Sequence, residues 1–407
     1  MTEKLIIGFD AKRIVRNGTG LGSYGRTLAN DLARREDMLL RLYAPDKGRD
    51  DLRCQVPERE NLCYCFPKGW QPLGKSYWRS HAIVSQLQRD GIQLFHGLSG
   101  ELPVGIRHSG IKSVVTIHDL IFLRHPEFYH WIDTKIYAWK FRQTVREADH
   151  IIAISECTKR DIMELGHVDE RRISVVYQSY APRFKGFKAQ DSLSSFLPFP
   201  SSARLPVAFP PIPELCSPTR SLSSFLVPRS SHSRYLLSVG TIERRKNILL
   251  AVKTLPLLPE DLSLVIIGRH TPYADEVKAY AEKHGLADRV IMLHNVSNAE
   301  LPSYYAHAEA FVYPSVYEGF GIPIIEAISS GLPVVACTGS CLEEAGGPDS
   351  LYVSPTDVQG MAAAILQSLR NAAGREQRIE RSQAYIRRFE GANVAEQVAD
   401  IYQRLLL

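Results

Sequence analysis

The fold of this chain is decided by the stretch AFVYPSVYEGFGIPIIEAISSGLPVVA, residues Ala310–Ala336. Its apolar start, Ala310–Tyr313, predicts a buried strand, and Leu332–Ala336 predicts the next one. Between them, Pro323 suits the first turn of a helix and Gly331 suits its end. A strand, a glycine loop, a helix and another strand in this order form a βαβ unit, so we predict a parallel sheet.

The loop between the predicted strand and helix indicates a binding site. Ligands of parallel sheets bind at the carboxyl ends of strands, where Gly319 and Gly321 leave backbone N–H groups open to an anion. Glu318 lies in this loop and Glu326 in the first turns of the helix, so both carboxylates can reach one ligand. Carboxylates do not bind phosphate, but they accept hydrogen bonds from sugar hydroxyls. Two surface glutamates on a capped helix are the plainer alternative, since acidic residues favour first turns.

Seven residues separate the two glutamates, and they include the sequence GFGIP. This stretch resembles the donor-site motif of the retaining GT-B glycosyltransferases, specifically glycosyltransferase family 4. The resemblance implies an α/β GT-B fold, in which two Rossmann-like domains with parallel sheets face each other across a cleft. It also implies that Glu318 lies near the donor hexose and that Glu326 holds the ribose hydroxyls. The backbone amides of Gly319, Phe320 and Gly321 would then meet the diphosphate and the sugar.

Length and composition are those of a globular protein. A chain of 407 residues has room for two domains, and 44% hydrophobic with 23% charged residues excludes a disordered or fibrous protein. No apolar run is as long as a membrane span, and the start Met1–Lys4 lacks the apolar segment of a secretory signal, so we expect a cytoplasmic protein. Seven scattered cysteines without a C-x-x-C pair predict reduced thiols rather than disulfides or a zinc site.

The basic balance of the chain, a net charge of +5, fits phosphorylated substrates or anionic lipid surfaces. No recognised nucleic-acid module accompanies it, so we expect no nucleic-acid partner. The segment Thr134–Arg146 mixes aromatic residues with the cations Lys135, Lys140, Arg142 and Arg146. We predict a half-buried helix that covers the sheet. The alternative is a helix that faces an acidic membrane surface or the acceptor, which would make the protein peripheral at the inner face of the membrane.

A second glycine-rich stretch, Gly20–Gly25, contains a literal G-x-G-x-x-G, and Asp46 lies about where a dinucleotide fold has its ribose-binding acid. That fingerprint needs its first glycine directly after the strand, whereas Ala11–Thr19 intervene here. The family has a glycine-rich loop at this point, which lets the backbone approach the donor phosphate. The resemblance therefore implies donor contacts at Gly20 and Gly22.

One histidine is a candidate for the reacting end of the donor. The predicted strand Ser113–Ile117 brings His118 to the carboxyl edge of the sheet. In the resembling family a histidine at this point contacts the donor sugar near its reacting carbon. A histidine that merely caps a strand end is the alternative. His96 ends another predicted strand and is a weaker candidate.

Three consecutive cations, Arg244, Arg245 and Lys246, stand at a strand-to-helix junction. Cations there can neutralise a diphosphate leaving group. They also oppose the helix dipole, so they would cost stability without a counter-anion. The resemblance assigns Arg245 and Lys246 to the diphosphate. Many family members have an arginine where this chain has Thr241, which leaves open whether Arg244 or Arg245 takes that part.

The predicted organisation has four segments. They are an N-terminal Rossmann-like acceptor domain at 1–180, a Ser- and Pro-rich linker or insertion at 181–233, a Rossmann-like donor domain at 234–388, and a final helix at 389–407 that crosses back to the first domain. In the second domain, Gly240 and Gly268 close predicted strands and are further candidates for donor binding.

We conclude from the sequence that the chain is a retaining hexosyltransferase that uses a nucleotide sugar, with GDP-mannose as the first choice. A glycan or lipid-linked acceptor in surface polysaccharide or lipopolysaccharide synthesis would receive the sugar. No Asp-x-Asp occurs, so we expect no metal, and no other cofactor is implied. The alternatives are a nucleotide-sugar epimerase of similar fold, an NAD(P)-dependent oxidoreductase that uses Gly20–Gly25, and a sugar-nucleotide binding protein without turnover.

Overall fold

The structure is a computed structural model that describes residues 4–67, 74–180, 184 and 234–407. The described residues form two sheets, and the predicted linker at 181–233 lies outside them apart from Phe184. The strands of the first sheet are β1 Leu5–Asp10, β2 Met38–Tyr43, β3 Leu62–Cys65, β4 Leu94–Gly97, β5 Lys112–Ile117, β6 His150–Ala153 and β7 Ile173–Val175. Those of the second are β8 Arg234–Val239, β9 Leu262–Ile267, β10 Val290–Leu293, β11 Ala310–Tyr313, β12 Val334–Cys337 and β13 Leu351–Val353.

Helices connect these strands. In the first half of the chain they are α1 Lys12–Arg16, α2 Gly20–Leu32, α3 Asp50–Arg53, α4 Gly74–Tyr77, α5 Ile83–Arg89, α6 Ile121–Arg124, α7 Trp131–Glu147 and α8 Glu156–Gly166. In the second half they are α9 Ile248–Thr254, α10 Pro272–Lys283, α11 Leu301–His307, α12 Ile322–Ser329, α13 Leu342–Gly346, α14 Val358–Leu366, α15 Arg375–Ile386 and α16 Gly391–Leu406.

Both sheets are parallel throughout, and the six strands of the second repeat the order of the first six strands of the first. The strand order is β3-β2-β1-β4-β5-β6-β7 in the first and β10-β9-β8-β11-β12-β13 in the second. The order reverses between β1 and β4, and again between β8 and β11. Ligands of open parallel sheets bind at such reversals, outside the carboxyl ends of the strands. The predicted α/β fold with two Rossmann-like sheets is confirmed.

The last helix, α16, packs against the first sheet and not against the second. Its residues Val394, Val398 and Tyr402 recur every fourth position, form one apolar stripe, and are buried in the same core as Leu28 of α2 and Ile7 of β1. Helix α16 therefore completes a core to which β1 and α2 also contribute.

Within that core, His96 joins α16 to the sheet. Its Nδ1 lies 2.6 Å from the Tyr402 hydroxyl and its Nε2 lies 2.8 Å from Thr116 Oγ1. The ring is fully buried, and burial, with a smaller effect of His118, lowers the pKa of His96 to about 3. The ring is neutral, and both of its nitrogens are hydrogen-bonded inside the core. We conclude that His96 has a structural role and not the role of a site residue that the sequence left open.

Helix α7 is half-buried and covers the sheet, as predicted. Its buried residues are Ala138, Phe141, Thr144 and Glu147, and Phe141 shares a core with residues of β5 and β6. Trp131 and Trp139 are exposed. The periodicity of the sequence indicated an amphipathic helix. In the structure the stripe that faces the sheet is narrower than the exposed face.

Replacing Tyr402 by Phe tests the connection between α16 and the sheet. The change keeps the ring and removes the hydroxyl, so one nitrogen of His96 loses its buried partner. We expect the free energy of unfolding to fall by about 1–3 kcal/mol in urea denaturation. Tyr137→Phe is the matched control, because Tyr137 is half-exposed. Equal effects of the two changes would contradict this account.

Candidate active site

A buried cluster of charges occupies the reversal point of the second sheet. β8 leads through Gly240 to a 3₁₀ turn, Arg244–Lys246, and β11 leads to Glu318. Lys246 Nζ donates a hydrogen bond to Glu318 Oε1, and Arg245 Nη1 lies 2.8 Å from Glu318 Oε2. Two cations from one side of the reversal point therefore meet one carboxylate from the other side.

The pKa values of the three groups are determined more by their mutual charges than by burial. Burial alone would raise the pKa of Glu318, but the nearby Lys246 and Arg245 outweigh it and lower this pKa to about 2. Burial by itself would lower the pKa of Arg245 and of Lys246, but their acidic neighbours, with Glu318 foremost, outweigh burial and raise both pKa values. All three groups are thus charged at neutral pH.

The structure separates the three cations that the sequence left equivalent. Arg244 is exposed and pairs with Glu276 at 2.7 Å, away from Glu318. Arg245 reaches the site, where it also donates to the Tyr317 carbonyl at 2.6 Å. The cations lie in a 3₁₀ turn between β8 and α9, which is the predicted strand-to-helix junction. The counter-anions that we required are present as glutamates.

Tyr313, the last residue of β11, belongs to the site but was not singled out from the sequence. Its hydroxyl accepts a hydrogen bond from Lys246 Nζ at 2.6 Å, and the Lys246 ammonium lies 4.8 Å from the centre of its ring. Burial, reinforced by Glu318, raises the pKa of Tyr313 to about 12. A tyrosine that ends a strand beside a reversal point is the sequence signal that would have found it.

The loop after Glu318 touches the first half of the chain. The Gly319 carbonyl accepts a hydrogen bond from Ser155 Oγ at 2.7 Å, and Ser155 also caps α8, as its sequence context predicts. A Cβ atom at position 319 would lie 2.1 Å from the His118 carbonyl oxygen. Only glycine permits this approach, which brings the loop after Glu318 against the end of β5.

His118 is held as a neutral, fixed ring. Its Nε2 donates to the Leu98 carbonyl at 2.8 Å, and its Nδ1 accepts from Gln178 Nε2 at 2.7 Å. Burial lowers the pKa of His118 to about 4 despite the opposing hydrogen bond to Leu98, and the charge of Arg13 lowers it further. As placed, the ring can orient a ligand but is not an available base. Gln178, three residues beyond β7, was not identified from the sequence.

The remaining motif residues divide between ligand-facing and structural positions. Glu326, on α12, is buried and accepts a hydrogen bond from the Tyr305 hydroxyl at 3.1 Å. Gly321 lies at the N-terminal end of α12 with a φ of 115°. The side chain of Phe320 is buried against Tyr177 and Phe389, so only its backbone can face a ligand.

Gly20 and Gly22 form the first turn of α2, whereas the family has a loop at this point. Their contacts with the donor stay a prediction. A Cβ atom at position 22 would lie 1.8 Å from the Asn17 carbonyl oxygen, whereas nothing lies within 4 Å of one at position 20. Gly22 is required by packing inside the chain, and Gly20 faces open space. Gly268 is likewise needed for packing, since its Cβ would lie 1.7 Å from the Gly240 carbonyl oxygen.

A cavity of about 350 Å³ opens at the reversal point of the first sheet. Arg79 bridges Asp10, at the end of β1, and Glu101, which follows β4. Lys12 and Lys140 also line this cavity. The loop that carries Glu101 begins at Leu98, whose carbonyl holds His118, so the cavity adjoins the site across one loop. Sequence reasoning missed it because Arg79 is 69 residues from Asp10.

The described part of the chain was searched for metal-binding groups and for helices that could span a membrane. No group of three or more His, Cys, Asp or Glu side chains is arranged to hold a metal ion in the residues described. Among the helices that the structure describes, none has the length and apolar character needed to cross a bilayer.

Two family models match this chain, and a curated relative is similar over nearly its whole length. The family described as "Glycosyltransferase Family 4" matches residues 18–180, and "Glycosyl transferases group 1" matches residues 225–385. The "O-antigen chain mannosyltransferase B" of Escherichia coli is 30% identical over 95% of this chain and 96% of its own length.

Two solved structures show the same fold at low sequence identity. The sucrose-phosphate synthase of Thermosynechococcus elongatus is 18% identical with a TM-score of 0.73, and the alignment covers 99% of both chains. Anabaena HepE in complex with UDP and glucose is 16% identical with a TM-score of 0.68, over 98% of this chain and all of its own.

Replacing Gly319 by Ala tests the contact between the halves. The added methyl group would collide with the His118 carbonyl, so we expect a loss of about 1–3 kcal/mol in the free energy of unfolding, measured in urea. Gly18→Ala is the control, because Gly18 is exposed and a Cβ atom there would meet nothing closer than Arg49 at 3.8 Å. Similar stabilities of the two variants would refute the contact.

The protonation of His118 can be followed directly by histidine NMR, with the signal assigned through His118→Gln. We expect the ring to stay neutral at pH 5.5 and to titrate at about 4. Because the folded pKa lies below the unfolded value of 6.5, His118 stabilises the fold fully above pH 6.5, and this contribution is lost as the pH falls toward 4. A midpoint near 6.5 would show that the ring is not held as described.

Proposed function

The chain belongs to the group 1 glycosyltransferases, and from this premise we propose that it transfers mannose from GDP-mannose to a hydroxyl group of a glycan or lipid-linked acceptor, with retention at the anomeric carbon. The observation that carries the proposal is the cluster of Arg245, Lys246 and Glu318 at the reversal point of the second sheet. Its cations suit a diphosphate and its carboxylate suits a sugar, which are the two parts of such a donor.

Arg245 and Lys246 stabilise the departing diphosphate. In the absence of donor, Glu318 supplies their counter-charge and so keeps both cations in place. A bound diphosphate takes over that role, and the Glu318 carboxylate is then released to accept hydrogen bonds from the hexose. The charge that develops on the leaving group thus meets preorganised cations, without need for a metal.

The transfer step breaks the bond between the anomeric carbon and the diphosphate oxygen, which keeps the electron pair. The acceptor oxygen attacks from the same face, and its proton passes to the departing diphosphate. Both ring nitrogens of His118 are engaged, so the ring is not the base. Its neutral state suits a neighbour of the reacting carbon, because an imidazolium would repel the positive charge that develops on the sugar ring.

In this proposal Glu326 holds the ribose of the nucleotide. It is buried on α12, eight residues after Glu318, and the Tyr305 hydroxyl orients one of its oxygens. Support for mannose comes from the Escherichia coli relative, whose name is that of a mannosyltransferase acting on the O-antigen chain. Support for a nucleotide diphosphate comes from Anabaena HepE, which was solved with UDP and glucose.

The cavity at the reversal point of the first sheet is the proposed acceptor site. It faces the same edge as His118 and is lined by both carboxylates and cations. Asp10 and Glu101, fixed by Arg79, can accept hydrogen bonds from acceptor hydroxyls. The donor is charged and does not cross a bilayer unaided, so we place the reaction in the cytoplasm.

Ligand-induced thermal stabilisation tests the donor. GDP-, UDP- and ADP-hexoses and NAD(P) are compared in the presence of EDTA, and we expect stabilisation by GDP-mannose. A ligand at a hundredfold its dissociation constant adds about 2.7 kcal/mol. Glu326→Ala should lose this effect, whereas Glu380→Ala, an exposed change on α15, should keep it.

The outcomes separate the alternatives. Stabilisation by another sugar nucleotide would retain the transferase and change the base or the sugar. Stabilisation by NAD(P) alone would overturn the donor assignment. Stabilisation that EDTA abolishes would overturn the metal-free mechanism. Release of a free epimeric sugar without any acceptor would indicate the epimerase alternative.

A further inference from the structure

Large exposed apolar side chains are concentrated on one side of the first half of the chain. In the part that the structure describes, ten such side chains are exposed, and five of them lie on α7: Trp131, Ile132, Ile136, Tyr137 and Trp139. Trp131 and Trp139 are 63% and 61% exposed, the highest values among the exposed aromatic residues. Indole rings are costly to leave in water, so this concentration calls for a partner.

The exposed face of α7 has two parallel stripes. Ile132, Ile136 and Trp139 follow the i, i+4, i+7 spacing of one helix face, and their stripe is apolar. Lys135, Arg142 and Arg146 have the i, i+7, i+11 spacing of an adjacent stripe, which is basic. Among the described residues, no carboxylate pairs with any of these three cations. The buried stripe, which begins at Ala138, lies on the opposite side.

The apolar face continues beyond α7 and surrounds the mouth of the cavity described above. Trp139 and Val104 line that cavity, and both are exposed. Tyr77, also exposed, stacks on His81, another residue of the cavity wall, with the ring centres 4.9 Å apart. We call α7 with Tyr77 and Val104 the aromatic face.

We propose that the aromatic face docks onto an anionic lipid bilayer. Ile132, Ile136 and the two tryptophans enter the headgroup region, while the basic stripe meets the lipid phosphates. Tryptophan and tyrosine favour the boundary between water and acyl chains, and a helix with cations beside an apolar stripe lies in the plane of that boundary. The cavity then opens at the lipid surface.

The charge pattern distinguishes a bilayer from a protein partner. The core of a protein interface is depleted of charged residues, and a cation buried there needs a carboxylate of the partner opposite it. Here three cations without a carboxylate partner in the described chain border the apolar stripe along its length. A surface of many equivalent phosphates can satisfy all three at once. This inference goes beyond the transfer reaction and does not depend on it, because lipid binding needs neither donor nor acceptor.

Vesicle co-sedimentation of the full chain tests the proposal. We expect binding to phosphatidylcholine vesicles that contain phosphatidylglycerol, much weaker binding to phosphatidylcholine alone, and weakening by salt. Lys135→Gln/Arg142→Gln/Arg146→Gln should bind on the order of a hundredfold more weakly. Ile132→Ser/Ile136→Ser should also lose binding while the basic stripe is intact.

Each set of changes has a matched control elsewhere on the surface. Leu257→Ser/Leu366→Ser removes two exposed apolar side chains of the second half, and Lys278→Gln/Lys283→Gln removes two exposed cations of α10. Both should bind vesicles as the unchanged protein does. Thermal unfolding of every variant excludes misfolding as the cause of lost binding.

Tryptophan fluorescence gives a second measurement. The measurement uses a Trp70→Phe background, so that Trp78, Trp131 and Trp139 remain of the four tryptophans. The emission should shift to the blue on addition of the anionic vesicles, and the further changes Trp131→Phe/Trp139→Phe should abolish the shift, since Trp78 is buried already. Absence of binding to anionic vesicles, or unchanged binding by the Ile132→Ser/Ile136→Ser variant, would overturn the proposal. So would a dimer in solution that this variant abolishes, because a second copy would then cover the face.

Discussion

The ion cluster of Glu318 with Arg245 and Lys246 is the interaction on which the rest of the site depends. It joins the two strands that flank the reversal point of the second sheet, and all three partners are largely buried. Removal of the Glu318 carboxylate would leave the Lys246 cation buried without a counter-charge, which costs several kcal/mol. The cluster therefore fixes both the 3₁₀ turn and the loop that carries Gly319.

That loop is also where the halves of the molecule meet. The Gly319 carbonyl binds Ser155 of the first half. A second carboxylate, Glu344 on α13, accepts hydrogen bonds from the backbone N–H groups of Glu156 and Cys157 at 2.7 and 2.9 Å. Glu344 thus caps a helix of the other half. These contacts hold the carboxyl edges of both sheets toward each other, so that a donor on one can reach an acceptor on the other.

The sequence predicted the parallel sheets, because apolar runs between turn residues are local signals. For the same reason it predicted that the three cations and Glu318 follow strand ends. It did not separate Arg244 from Arg245, since that choice depends on Glu276, 32 residues away. Nor did it reveal that the side chain of Phe320 faces the core or that the tryptophans of α7 are exposed. Periodicity shows that a helix has two faces, but only the assembled molecule decides which of them is covered.

The packing of α16 has a consequence for the order in which the chain folds. All seven strands of the first sheet precede residue 176, yet its core includes Val394, Val398 and Tyr402. While the ribosome makes the intervening residues, the first sheet is complete in sequence but its apolar surface stays uncovered. The core of the first half is therefore completed only when α16 has been made, and its exposed apolar surface is a reason for the nascent chain to need protection from aggregation until then.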